Sequence, residues 1–296
     1  HAGFTPVFVD IDPKHMGMDT KKIISVLNEN TRAVLLIHVQ GFNALTTELL
    51  DELKRRDIFL IEDVCESHGA THKGLKLGTF GWASNFSFYY AHHMSTIEGG
   101  MLCTNDPDLY QTLRMLRSHG MVRESTSEKL KVSFENQYPD LNPDFIFAFP
   151  AYNVRNNEIG AIMGRNQLKR LDENIQLRNR NFKLFLDQLD VSKFRTNFRL
   201  EGSSNYALNL ILQHADMPFT ERLMLKMSEE KIEFRRGSAG GGNQLRQPYL
   251  RKIMGDAYQN YPEVDHIHFN GFYIGNFPSL EERKIIKLCN ILNSVE

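Results

Sequence analysis

The chain has 296 residues, 41% of them hydrophobic, with 35 Lys+Arg against 36 Asp+Glu and a formal charge of -1. That length allows a sizeable core in one large or two unequal domains, and the near-neutral balance excludes the broad basic field that nucleic acid or an anionic membrane would require. The three cysteines, Cys65, Cys103 and Cys289, stand far apart without CxxC spacing, which argues against a zinc site, a disulfide framework or an iron–sulfur cluster and fits a reducing cytoplasm.

No apolar run approaches the roughly 20 residues needed to span a bilayer. The start, HAGFTPVFVD, has neither the charged nor the apolar region of a signal peptide and no initiator methionine, so the chain is expected to begin inside a longer protein and to act in the cytoplasm.

In chain order, PVFVDID (6–12) and AVLLIHV (33–39) read as strands flanking a helix over DTKKIISVLNEN, and FLIED (59–63) follows a helical ELLDELKRR stretch. Strand, helix, strand, helix, strand implies a parallel α/β sheet. Such sheets bind ligands beyond the carboxyl ends of their strands, which singles out Asp63 and Ser87. GGMLCTND (99–106) closes the sheet, and Leu109, Leu113 and Leu116 recur at helical spacing before a Gly120 C-cap. Residues 121–152 mix charges, prolines and aromatics and read as a long irregular segment suited to a subunit contact. A helix starts near Asn157, and LDENIQLRNRNFKLFLDQL continues as a long helix joining two domains. YALNLIL (206–212), a helix after Pro218, a strand-like IHFNGFYIGNF (267–277) and a last helix with Ile285, Leu288, Cys289 and Leu292 on one face describe a small α+β domain. The divisions are 1–155, 156–190 and 191–296.

Asp63 ends an apolar strand, where a carboxylate is costly unless a positive group meets it; a protonated pyridine nitrogen is one such partner, and capping a following turn is the simpler alternative. Ser87 is either a strand-end donor or a packed hydroxyl. His92-His93 taken alone reads as a turn pair, and no carboxylate or further histidine stands at metal-ligand spacing. Arg235, Arg236, Gly240-Gly241-Gly242 and Arg246 make a patch suited to a carboxylate or diphosphate, or simply a flexible charged loop.

Residues 61–106 carry EDxxxxHGA, GxxxGxFG, FSF and EGGM in order, and this segment resembles the central signature of the DegT/DnrJ/EryC1/StrS family of pyridoxal-phosphate (PLP) sugar aminotransferases and dehydratases. The resemblance extends upstream to PVFVDID and downstream to AYNVRNNEIGAIMG. It implies an aspartate-aminotransferase-like fold (fold type I), with a three-layer large domain that lacks its N-terminal segment and a small α+β C-terminal domain. Full-length members carry, ahead of the position matching PVFVD, a small-residue turn at a helix N-terminus that donates to the cofactor phosphate.

By the same resemblance Asp63 pairs with the pyridine nitrogen, Glu66 lies beside the ring where many relatives have glutamine, and Ser87 donates to the cofactor phosphate. Tyr152-Asn153-Val154-Arg155 matches the family's GYNYR motif, with Ala151 in place of its glycine, and places Asn153 near the cofactor of a second subunit, implying a homodimer with shared sites. Asn153 as a helix N-cap is the alternative. Arg155, Arg235, Arg236 and Arg246 are the substrate-binding candidates.

In the aminotransferases a lysine six residues before the EGG glutamate bonds covalently to the cofactor. Counting back from Glu98 reaches His92, and no lysine lies between Lys76 and Lys129. An imidazole cannot replace a primary amine in that bond but still shuttles protons near neutral pH. AHHMSTIEGG without lysine resembles a narrower branch, the nucleotide-sugar 3-dehydratases acting on GDP-4-keto-6-deoxy-D-mannose, with glutamate as amino donor, PLP and pyridoxamine phosphate as non-covalent cofactors, and a 4-keto-3,6-dideoxy sugar for surface polysaccharides as product. The cluster-dependent CDP-sugar branch carries extra cysteines after EGG; here Cys103 alone lies between Cys65 and Cys289. A sugar aminotransferase and an inactive assembly partner of the same fold are the alternatives.

Overall fold

The computed structural model describes residues 3–296. The first half builds α1 (Thr20–Val26), β1 (Ala33–Ile37), α2 (Thr47–Arg55), β2 (Phe59–Asp63), the short pair β3 (Thr71–His72) and β4 (Leu75–Lys76), β5 (Ala83–Ser87) and β6 (Gly100–Cys103). Helices α3 (Pro107–Leu116), α4 (Glu128–Gln137), α5 (Glu158–Leu168) and α6 (Leu171–Gln188) follow. The C-terminal part contains β7 (Ala207–Ile211), α7 (Met217–Glu229), β8 (Phe234–Arg236), α8 (Pro248–Met254), α9 (Pro262–Asn270), β9 (Gly271–Gly275) and α10 (Glu282–Asn293).

The larger sheet has the order β1-β2-β5-β6, with β1, β2 and β5 parallel and β6 antiparallel at the edge. Strand β1 alternates, burying Val34 and Leu36 against Ile23, Leu45, Leu49 and Leu53 of the α1 and α2 region. Each such side chain contributes about 1.5–3 kcal/mol by leaving water. The opposite face carries Leu35 and Phe59, about half exposed. Helix starts follow local chemistry: Asp19, Thr46, Asp106 and Asn157 each accept hydrogen bonds from the first-turn N–H groups of α1, α2, α3 and α5. The smaller antiparallel sheet, β7-β9-β8, forms a second core with α6, α7 and α10, built on Phe182, Phe185, Leu208, Leu210, Phe272, Ile285 and Leu292, which Met16 and Phe42 join from the first half.

Three expectations are corrected. Residues 6–12 form no strand; only Ile11 bridges to Met18, and the buried Asp10 carboxylate instead accepts from Glu263 and Val264 N–H at 3.0 Å each, capping α9. IHFNGFYIGNF is split, because Ile267–Asn270 completes α9 and the strand starts at Gly271. The 121–152 segment contains α4, started by a Ser127 cap on Leu130 N–H. Gly120 lies in the left-handed region with φ 78° and its N–H bonds to the Met115 carbonyl, as a helix-terminating glycine should.

Candidate active site

Asp63 and Ser87 end the neighbouring parallel strands β2 and β5, where Asp63 stands in register with Asn85. Both lie at the carboxyl edge at which such sheets bind ligands. Asp63 accepts one bond, from Cys65 N–H at 3.0 Å, and among the described residues no lysine or arginine pairs with it. Burial, reinforced by the Asp63 charge, pushes the Cys65 thiol up to about 12, so it is a neutral wall of the site rather than a nucleophile.

Beyond β2 the chain turns through Glu66. Its carboxylate accepts from Gln40 N–H at 3.0 Å. Burial, helped by Asp63, pushes its carboxyl up to about 7, so near neutral pH it can hold a proton. Gln40 has φ 49°, and its fully buried side-chain amide finds no partner on either atom.

After β5 the chain bends so that His92 Nδ1 comes within 3.2 Å of the Ser87 carbonyl. A carbonyl only accepts, so Nδ1 carries the hydrogen and the neutral ring keeps its lone pair on Nε2. Burial lowers the His92 pKa, while the Ser87 carbonyl and the Asp63 and Glu98 carboxylates oppose that shift. His93 is different: it is buried, and its Nε2–H donates to the Ser204 carbonyl at 3.1 Å.

The C-terminal part closes the other side. Tyr206 N–H bonds to the Gln40 carbonyl at 3.0 Å and Ser204 N–H to Gly41 at 2.7 Å. Gly41 has φ 92°, and a Cβ there would fall 2.4 Å from Asn205 N, so only glycine permits this approach. The Tyr206 ring thereby stands 5.7 Å from that of His92. Arg235 faces Tyr273 across the β8–β9 ladder; burial and then Glu66 raise the Tyr273 phenol pKa, the bond to Tyr90 raises that of Tyr89, and the Arg235 charge only partly opposes both shifts.

The remaining candidates lie elsewhere. Asn153 is exposed and bridges to Ser118, while Asn157, not Asn153, caps α5. Arg155 donates to the Ser118 hydroxyl and to Glu124 at 3.3 Å. Arg236 is exposed and bonds to the Phe269 carbonyl. Arg246 makes a two-pronged pair with Asp265 at 2.7 and 2.6 Å and lies over the Tyr258 ring, which occupies its donors within the small domain. Tyr206, Tyr273 and Gln40 went unread as site residues, although Tyr206 and Tyr273 fall within strand-like runs and Gln40 directly follows one.

Among the described residues no cluster of three or more His, Cys, Asp or Glu could hold a metal ion, and no helix is long and apolar enough to cross a membrane. The residues do fit a pyridoxal phosphate. Asp63 offers an unpaired carboxylate oxygen to a ring N–H, the Ser87 hydroxyl is free to donate although it accepts from Tyr89 N–H at 3.3 Å, and Glu66 is near enough for the Asp63 charge to act on it and for its own to act on Tyr206.

A mostly parallel sheet with an antiparallel edge strand, its ligand edge closed by a small antiparallel sheet, is the aspartate-aminotransferase-like architecture. The chain belongs to the DegT/DnrJ/EryC1/StrS aminotransferase family, whose model matches residues 1–293. It is 31% identical over 296 residues to GDP-4-keto-6-deoxy-D-mannose 3-dehydratase of Yersinia pseudotuberculosis, covering 98% of this chain and 74% of that protein. Against GDP-perosamine synthase of Caulobacter vibrioides the identity is 33% over 180 residues, covering 61% and 44%. A solved structure of the Escherichia coli GDP-4-keto-6-deoxy-D-mannose-3-dehydratase with bound hydrated PLP superposes with a TM-score of 0.83 at 29% identity, covering 96% of this chain and 73% of that one.

Proposed function

We propose that this chain is a PLP-dependent 3-dehydratase of a nucleotide-linked 4-keto-6-deoxy sugar, with GDP-4-keto-6-deoxy-D-mannose as substrate and glutamate as amino donor. The observation that carries the reading is His92 at the lysine position, with its Nδ1–H engaged by the Ser87 carbonyl. That arrangement retains a proton carrier and removes the covalent anchor.

When bound, the cofactor supplies an electron sink that stabilises negative charge at the carbon losing a proton. Asp63 holds the ring nitrogen protonated, and Ser87 donates to the phosphate. His92 Nε2 takes the proton from the reacting carbon and returns it to the departing C3 hydroxyl. Burial by Tyr206 and Cys65 limits water around that transfer. The balance closes without another oxidant: the sugar loses its C3 oxygen and glutamate becomes 2-oxoglutarate and ammonia.

The test is to incubate the full-length protein with PLP, glutamate and the GDP-sugar and to assay ammonia and a 3-deoxy product by mass spectrometry. An aminated sugar without ammonia supports the aminotransferase reading, which the likeness to a perosamine synthase favours, and defeats this one. His92→Lys is expected to give a borohydride-trappable protein–PLP adduct that the wild type lacks.

The same reading makes the working unit a homodimer with Asn153 reaching the partner's cofactor. Tyr152, Val154, Ile159 and Ile162 support it, an apolar run 61–75% exposed in the single chain. Light scattering should give twice the chain mass, and a monomer at working concentration rejects shared sites.

A further inference from the structure

Two more imidazoles pack behind His92, and the inner one has no evident structural task. His68 is 1% exposed, and neither of its ring nitrogens has a hydrogen-bond partner. Leaving a buried polar atom unpaired costs about 1–3 kcal/mol. A phenylalanine would fill the same slot beside Phe86 and Phe88, whose rings lie 5.8 Å away, without that cost. Other buried histidines do find partners, as His38 does with Glu62 and Ala44 N–H, and His93 with Ser204. The imidazoles that face the His68 ring are His92, at 6.2 Å and 75°, and His93, at 5.7 Å, and the Ser87 carbonyl, too poorly aligned for a hydrogen bond, is close enough to act on its charge.

We propose that His68 is a positioning residue for His92: its neutral ring, packed edge-to-face against the reacting imidazole, holds that ring on the Ser87 carbonyl and stabilises its protonated form. The role rests on the proton transfer assigned above to His92.

The surroundings decide which ring takes the proton. Around His92, Asp63 from β2 and Glu98 from its own loop favour the charged form, and the rings of Tyr89 and Tyr206 stand edge-on at 5.6 and 5.7 Å. Among the described residues no carboxylate acts on His68. Burial, and then repulsion from His92, push its pKa down to about 4 against the opposing pull of the Ser87 carbonyl. His93 is held well below the ordinary range by burial and by Arg178 on its far side. Two imidazoles this close share one proton at most, and it resides on His92. The neutral ring beside it then offers the imidazolium a dipole, which a phenyl ring filling the same space lacks.

The experiment is an NMR titration of 13C-labelled histidines in the full-length protein with PLP bound, comparing wild type, His68→Phe and His68→Asn. The expected result is a His92 midpoint lower by about half a pH unit or more in His68→Phe, restored in His68→Asn, whose amide keeps a dipole. The acidic limb of the kcat profile should move to lower pH by the same amount with KM unchanged. An unmoved His92 midpoint in folded His68→Phe means that His68 only fills space, and overturns the proposal. Should His68→Phe not fold, the wild-type titration decides, because protonation of His68 before His92 also overturns it. The titration needs no sugar, so it stands apart from whether the product is deoxygenated or aminated.

Discussion

Glu62 and Asp63, the adjacent carboxylates that end β2, point to opposite faces of the sheet and meet different surroundings. Glu62 is fully buried and accepts from Gly78, Phe80 and Gly81 N–H at 2.8 Å each and from His38 at 3.3 Å. Burial alone would raise its pKa, but the bonds from His38, Gly78 and Gly81 outweigh it and the carboxyl ends below its usual range. Asp63, half-buried, accepts only from Cys65 N–H. The saturated carboxylate ties a loop to a strand, and the unsaturated one is left for a ligand. The alternation of side chains along a strand is enough to separate the two roles.

Removing each group should break the molecule differently. Glu62→Ala strands three backbone N–H groups and a buried imidazole, and is expected to cost about 3–5 kcal/mol of stability, read by urea unfolding. Asp63→Asn should change stability by less than about 1 kcal/mol while lowering turnover by about two to three orders of magnitude with PLP saturating. If Asp63→Asn unfolds the protein, or Glu62→Ala leaves it intact, the division of labour drawn here fails.

Most of the large sheet was legible because its signals are local. FLIED, the helical DTKKIISVLNEN and the ordered motifs of residues 61–106 each act within a few residues of themselves. Residues 6–12 misled because a β-branched run specifies a strand only if a neighbour pairs with it, and here Asp10 is spent on α9, more than 250 residues away. IHFNGFYIGNF misled because its first four residues are claimed by a helix started at Pro262. At the site, Asp63, Ser87 and His92 come from one motif-bearing segment. Tyr206 and Tyr273 arrive through tertiary packing of the small domain and no spacing announces them; Arg235 stood out as a candidate, but its place opposite Tyr273 did not. Arg246 shows the converse: its basic character was visible, but its pairing with Asp265 depends on how two loops fold together.

Within the same turn Glu66 gives the smaller and subtler contrast with Glu62. Its carboxyl is pushed up to about 7, first by burial and then by Asp63, against 4.5 for an unperturbed glutamate. Between those values the folded chain keeps a proton that the unfolded chain has released, so stability falls as the pH rises through this window. Glu62 acts with the opposite sign: its stabilisation is present above its unfolded value of 4.5 and is lost as the pH falls through its lowered folded value. Glu66→Gln keeps the shape without the charge, and should flatten the upper limb and gain about 1–3 kcal/mol above pH 7 in the cofactor-free protein, measured by urea unfolding across the pH range. A limb that survives Glu66→Gln unchanged would assign the proton to another group and leave Glu66 as charged as Glu62.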